Sequence, residues 1–210
     1  MATLGTMKTR IANELARADL TSEIAGAITS AIAHYERRRW WFLESESTFT
    51  TTPSTDAYTT ATATFLATLI DDDSLTMTVS GAKEPMRKIS FAEMQDYRID
   101  TNPAGPPTHY AMYRQRLYVH PVPNATYTAT VFFVATLGIP AADGDSNAWT
   151  TEAEELIRLR AKADLFENVI RDYDYAEADR MRAREMEVLM SMNSLNNART
   201  ASGFVVAEYL

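Results

Sequence analysis

STFTTTPSTDAYTTATATFLATL, residues 47–69, is where the chain changes character. The stretch is dense in threonine, alanine and aromatic residues and nearly free of charge. Such a composition suits strands and turns, because threonine is stiff at χ1 and competes for the backbone bonds a helix needs. Strand-like sequence continues to about Leu137. Within it, ATFLATLI and LTMTVSG read as strands joined by a turn at Asp71-Asp72-Asp73-Ser74, with Gly81 closing the second. Ser90 and Glu93 have capping-box spacing ahead of FAEMQDYRI, so one short helix interrupts the strands.

On the N-terminal side the first 43 residues read as helical. Leu4, Met7, Ile11 and Leu15 recur at helical spacing. After a break near Asp19 to Thr21, so do Ile24, Ile28, Ile32, Tyr35, Arg39 and Phe42. Thr21 is the expected N-cap of this second helix, with Glu23 favourably placed near the positive end of its dipole. On the C-terminal side helix returns after PAADGDSN, residues 140–147. Thr151 and Glu154 have capping-box spacing, and Leu156, Ile157, Ala161, Leu165, Val169, Ile170 and Tyr173 form an apolar stripe. A fourth helix is expected from about Tyr175 to Leu195, with Ala178, Met181, Val188, Met192 and Leu195 on one face.

Each helical pair presents one apolar stripe, and neither buries it alone. The expected fold class is α+β: N- and C-terminal helical hairpins, residues 1–44 with 150–196, form a bundle, and residues 45–149 form a β-rich insertion with one short helix. Residues 197–210 are left as a C-terminal arm ending in FVVAEYL. If a neighbour covers that apolar end, strand addition is the natural mode, with Phe204, Val205, Val206, Tyr209 and Leu210 filling pockets on alternate sides.

Composition narrows the function. The net charge of -8 gives the chain as a whole no pull on nucleic acid, so the expected partners are proteins. The absence of cysteine excludes disulfides, thiolate metal sites and a cysteine nucleophile. The N-terminal sequence lacks an apolar signal segment and no long apolar run follows, so the reading is a soluble, unexported chain with no membrane partner. RRRWWF, residues 37–42, could stack on bases and hold phosphates, but Arg37, Arg38 and Arg39 on a helix would fan around its axis. Residues 1–47 are also charge-balanced, with six basic and six acidic side chains. The stretch therefore reads as a helix end, its aromatics packed at the passage into the first strand, with an intersubunit role for one of its arginines left open.

His34, His109 and His120 are the only histidines, and no metalloprotease, nucleophile-elbow, phosphate-loop or dinucleotide motif accompanies them. No enzyme, cofactor or metal site is expected. Asp71 to Asp73 lack the spacing of a calcium loop and read as a solvated turn. Tyr110, Tyr113 and Tyr118 leave an alternative open, a ligand- or carbohydrate-binding module on the β-rich insertion.

The most distinctive stretch is NPAGPPTHYAMYRQRLYVHPVPNATYTATVFFVATL, residues 102–137. It reads as a proline-rich turn, a strand Tyr110 to Tyr113, a turn at Arg114-Gln115, a strand Leu117 to His120, and a long strand Tyr127 to Leu137. Through Gly105, Pro107, Tyr110, Leu117, Pro121 and Pro123 it resembles the neck-adaptor, or head-to-tail connector, proteins of tailed bacteriophages. The segment from Asn147 to Met181, a tryptophan followed by two helices, and the passage RRRWWFLESESTFTT are similar to other parts of that family. Arg114-Gln115 stands where such proteins often have glycine.

The resemblance implies a structural virion protein of the neck, assembled in the host cytoplasm as a homo-oligomeric, dodecameric ring beneath the portal protein. The ring would extend the DNA channel, let genomic DNA pass without specific binding, and offer a platform to tail or nozzle proteins. Its C-terminal arm, here Phe204, Val205, Val206, Tyr209 and Leu210, would dock on the portal, and Arg37, Arg38 and Arg39 would be candidates for subunit or channel-lumen contacts.

Overall fold

The computed structural model describes residues 2–100, 103–170 and 175–199. Among these residues it is a mixed α+β structure with six helices and two four-stranded sheets. It divides into two compact units, Met1–Phe42 with Leu137–Leu210, and Leu43–Thr136.

The first unit is helical. Helix α1 (Leu4–Leu15) starts at a reciprocal cap: the Thr6 amide donates to Thr3 Oγ1 at 3.2 Å and the Thr3 amide to Thr6 Oγ1 at 2.8 Å. It ends at Ala16 in the left-handed region, φ 52°, where the Arg17 amide reaches back to the Ala12 carbonyl. Leu4, Met7 and Ile11 are buried, as their spacing requires. Helix α2 (Thr21–Tyr35) buries Ile24, Ile28, Ala31, Ile32 and Tyr35. Its N-cap is Leu20, without a side-chain bond, rather than Thr21, which lies one residue too far in to cap.

Residues 137–149 run with these helices. The Gly5 amide donates to the Asp143 carbonyl at 2.9 Å, and a side chain at Gly5 would bring its Cβ within 3.0 Å of that oxygen. Asn147 caps helix α4 (Ala148–Thr151) in a box with Thr150. This corrects the expected Thr151 and Glu154 pair: helix α5 (Glu154–Asn168) begins after Ala153 with no side-chain cap. Both residue pairs have the right spacing, and Asn147 lies where the backbone is still extended. Helix α5 packs against α1, α2 and helix α6 (Tyr175–Arg199), so it contacts helices from both ends of the sequence. Leu159 and Ala163 meet Met181, with Phe166 and Val188 beside them. Leu195, expected on the inner face of α6, is 44% exposed, whereas Leu189 is buried.

Charges also tie α1 to α5. Lys162, buried on α5, donates to Glu14 Oε2 at 2.6 Å, Arg158 pairs with the same carboxylate, and Arg10 pairs with Glu154 at 2.8 Å. Burial alone would raise the pKa of Glu14, but the Lys162 bond and the charges of Lys162, Arg158 and Arg10 hold it below its ordinary 4.5. Glu167 is also held below 4.5, chiefly by its bond from Arg182, against the opposing effect of burial. A carboxylate held low in the folded state adds stability above its unfolded pKa and loses it as pH falls through the folded one. The melting temperature is therefore expected to drop as the pH falls below about 4.5, and the drop should be shallower in Glu14→Gln. Calorimetry across that range checks this; an equally steep fall in the variant would remove Glu14 from the account.

The second unit holds strands β1 (Glu44–Thr50), β2 (Ala57–Tyr58), β3 (Leu69–Val79), β4 (Ala82–Pro85), β5 (Arg87–Lys88), β6 (His109–Tyr113), β7 (Arg116–His120) and β8 (Thr128–Ala135), with helix α3 (Phe91–Asp100). The sheets run β1-β8-β3-β4 and β2-β7-β6-β5, antiparallel except for β5 with β6. Alternate residues of both meet in one core that includes Phe49, Tyr58, Phe65, Met77, Leu117, Val131 and Phe133. Helix α3 covers the other face of the second sheet, where Ile89, Met94 and Ala111 are buried. Ser90 Oγ accepts from the Glu93 amide at 3.1 Å, at the expected cap.

Two local expectations in this unit are corrected. ATFLATLI is not a strand from its start, since Thr64–Ala67 forms a short 3-10 turn and β3 begins at Leu69. Asp71 to Asp73 are not a turn: they lie in β3, whose pairing with β8 slips at Leu69/Asp71 and Asp72/Ser74. Asp72 is drawn inward by Lys88 and by the Tyr110 hydroxyl, each at 2.7 Å. The turn sits at Ser80-Gly81, both at positive φ, which matches the twist of the paired strands. Arg114 and Gln115, at φ 49° and 55°, form a two-residue turn of the same hand without glycine.

Candidate functional site

The charged end of α2 and the α5–α6 pair carry the most concentrated polar architecture of the helical unit. Helix α2 stops at Tyr35, short of the periodicity that runs on to Phe42. The Tyr35 carbonyl, which a continuing helix would offer to residue 39, accepts instead from the Arg38 amide and from Trp40 Nε1, each at 3.0 Å. Arg37 and Arg38 therefore lie on a turn, so the expected fanning around a helical axis does not apply. Trp40 is fully buried and stacks on Phe42 with centroids 5.8 Å apart, and Phe42 meets the edge of Trp149 at 5.2 Å. Asn196 of α6 holds the stretch in place, accepting from the Trp41 amide at 2.8 Å and donating to the Arg39 carbonyl at 3.0 Å. RRRWWF is thus an aromatic joint within the helical unit, with Arg37 and Arg38 on the exposed side.

Beside the joint, Glu185 of α6 is buried and gathers three helices. It accepts from the Tyr35 hydroxyl of α2, from Arg160 of α5 at 3.3 Å and from Arg182 at 3.2 Å. Arg182 also donates to Asp164 at 2.7 Å and Glu167 at 2.8 Å. Burial, then the Glu185 bond, push the Tyr35 phenol far above its ordinary value, so it stays a donor. Ser30, His34, Arg37 and Arg38 line an open groove of 670 Å³ with Arg160 and Asp164. His34 is held below its ordinary 6.5 by burial and then by the charges of Arg160 and Arg38, which outweigh Glu185 and Asp164.

Sequence reasoning found Arg37 and Arg38 but missed Glu185 and Arg160. One signal was available for Glu185: it falls at helical spacing between Met181 and Leu189 on the buried stripe of α6. A charge on an apolar stripe implies a buried partner.

The remaining candidates separate. His109 and His120 oppose each other on β6 and β7, with Tyr97 of α3 stacked on His120 at 5.1 Å, while His34 belongs to the helical unit. Among the described residues no group of three or more histidine, aspartate or glutamate side chains is placed to hold a metal ion. Tyr110 is 2% exposed and faces the inter-sheet core, whereas Tyr113 and Tyr118 pack on Phe91 at 4.2 and 5.1 Å. The three tyrosines do not form one platform. Phe204, Val205, Val206, Tyr209 and Leu210 lie outside the described residues.

The family model described as SU10 adaptor protein matches residues 2–206. The chain belongs to the SU10 adaptor protein family. No curated protein matches it. This is a family of bacteriophage adaptor proteins, structural rather than enzymatic, so the SU10-type adaptor is a virion component that works with other head-to-tail parts. The match takes in both units, so the aromatic joint and the two-sheet unit belong to the adaptor chain. No helix among the described residues is long and apolar enough to cross a membrane.

Proposed function

We propose that this adaptor closes into a homo-oligomeric ring, dodecameric as the family resemblance implies, beneath the portal protein in the virion neck. The ring extends the DNA channel and gives tail or nozzle proteins a seat. The observation that carries the reading is the family match along residues 2–206. In this reading the helices form one bundle, with the β-rich insertion bounded at 43–136 rather than at the expected 45–149, since residues 137–149 belong to the helical unit. The arm follows α6, which runs to Arg199 instead of ending at 196. Contacts of α5 with helices from both ends of the sequence support the bundle. The net charge of -8 supports a channel that lets genomic DNA slide without gripping it.

Phe204, Val205, Val206, Tyr209 and Leu210 dock the arm on the portal by strand addition, in which main-chain bonds give affinity and alternate side chains fill pockets. A chain truncated after Ser202 is expected to keep its circular dichroism spectrum and melting profile. It should bind the portal of the same phage at least about a hundredfold more weakly. Normal binding by the truncated chain would overturn the role of the arm. A full chain that stays monomeric with portal present, by native mass measurement, would overturn the ring.

A further inference from the structure

The groove at the end of α2 is cationic on an acidic protein. Three guanidiniums, Arg37, Arg38 and Arg160, share it with one carboxylate, Asp164, which is already bonded to Arg182 at 2.7 Å. Arg160 Nε is buried and makes no hydrogen bond, standing 3.9 Å from Asp164. Arg37 and Arg38 are exposed and make no ion pair among the described residues; Arg38 lies 5.5 Å over the Tyr35 ring. Arg160 is also paired with Glu185 at 3.3 Å, so the free positive charge of the groove is carried by Arg37 and Arg38. His34 is held low by burial first and then by Arg160 and Arg38, which Glu185 and Asp164 offset only in part.

We infer that this groove receives an acidic strip from a second copy of the chain, and so forms one half of the contact between neighbouring subunits. The inference rests on the ring reading and adds the surface that closes it. A ring contact joins two different patches of the same molecule, repeated around the axis. Copies that each carry a net charge of -8 repel one another unless a cationic patch on one meets an acidic patch on the next. The groove supplies the cationic patch, with guanidiniums whose donors suit paired bonds to carboxylates. Nucleic acid is the weaker occupant, because three arginines neutralise few phosphates while the rest of the chain repels the backbone.

The test compares the intact chain with two double charge reversals, Arg37→Glu with Arg38→Glu, and Arg87→Glu with Arg116→Glu. All four arginines are exposed, and the two variants change net charge equally. Self-association is followed by sedimentation and native mass measurement, with and without portal, at low and high salt. The groove variant is expected to self-associate at least about a hundredfold more weakly than wild type, with the control variant within about threefold of it. Salt should weaken the wild-type assembly and have little effect on what remains in the groove variant.

Equal assembly by the groove variant and wild type would overturn the groove and leave the ring standing. Equal loss in both variants would also overturn it, since net charge alone would then be at work. A wild type that never assembles would sink the ring reading and the groove with it. Binding of a short DNA duplex that is lost in the groove variant, while its assembly is unchanged, would reassign the groove to phosphate.

Discussion

Trp40→Ala is expected to destabilise the helical unit by about 3–5 kcal/mol, the range for truncating a large buried aromatic side chain. Trp40 is 0% exposed, stacks on Phe42, and meets the edges of Tyr35 and Trp41 at centroid distances of 6.4 Å. Removing the indole deletes those contacts and leaves a cavity that the neighbours, held by helix packing and by Asn196, fill only in part. It also removes the Nε1 donor from the Tyr35 carbonyl, freeing the group that terminates α2. Urea unfolding followed by far-ultraviolet circular dichroism reads the loss directly. Trp40→Phe, which keeps a ring but not the donor, should lose less. A change below about 1 kcal/mol for the alanine variant would show that the joint collapses without cost.

Glu185→Ala is the second large effect, about 2–4 kcal/mol. Removing one partner of a buried ionic cluster costs more than the cluster gains in net stability, because the groups left behind lose their compensation. The figure sits below the range for fully buried pairs because Arg160 and Arg182 are 25% and 28% exposed and recover some hydration. Glu185→Gln keeps an acceptor for Tyr35 but not the charge, so it should fall between wild type and alanine. A double-mutant cycle with Tyr35→Phe isolates the hydroxyl bond, with an expected coupling of about 1–2 kcal/mol. Additive single effects, or an alanine variant within about 0.5 kcal/mol of wild type, would refute the role assigned to the cluster.

Much of the fold was legible because the apolar period changes with the composition. The stripes Leu4-Met7-Ile11 and Ile24-Ile28-Ile32 are buried as spaced, and the threonine-rich stretch opens a β unit. The misreadings arose where local chemistry imitated a signal. Three consecutive aspartates have the composition of a turn, yet Lys88 and Tyr110, remote in sequence, draw Asp72 into a strand. Asn147-Thr150 and Thr151-Glu154 offer the same capping spacing, and backbone conformation selects between them. Periodicity alone carried α2 to Phe42, because nothing local announces that an indole will capture the carbonyl of Tyr35. The groove was half visible: Arg37 and Arg38 stand out in RRRWWF, but Arg160 and Asp164 join them only when α5 packs against α2.

The first and last strands of the β unit lie side by side, with Glu44 opposite Val134 and the register continuing to Thr50 opposite Thr128. Paired residues in such a ladder are only about 5 Å apart, so the polypeptide leaves the unit almost where it came in. The excursion is therefore a cassette whose two ends are zipped together. Residues can thus be added to or removed from its interior without changing the path of the helices that precede and follow it in the sequence.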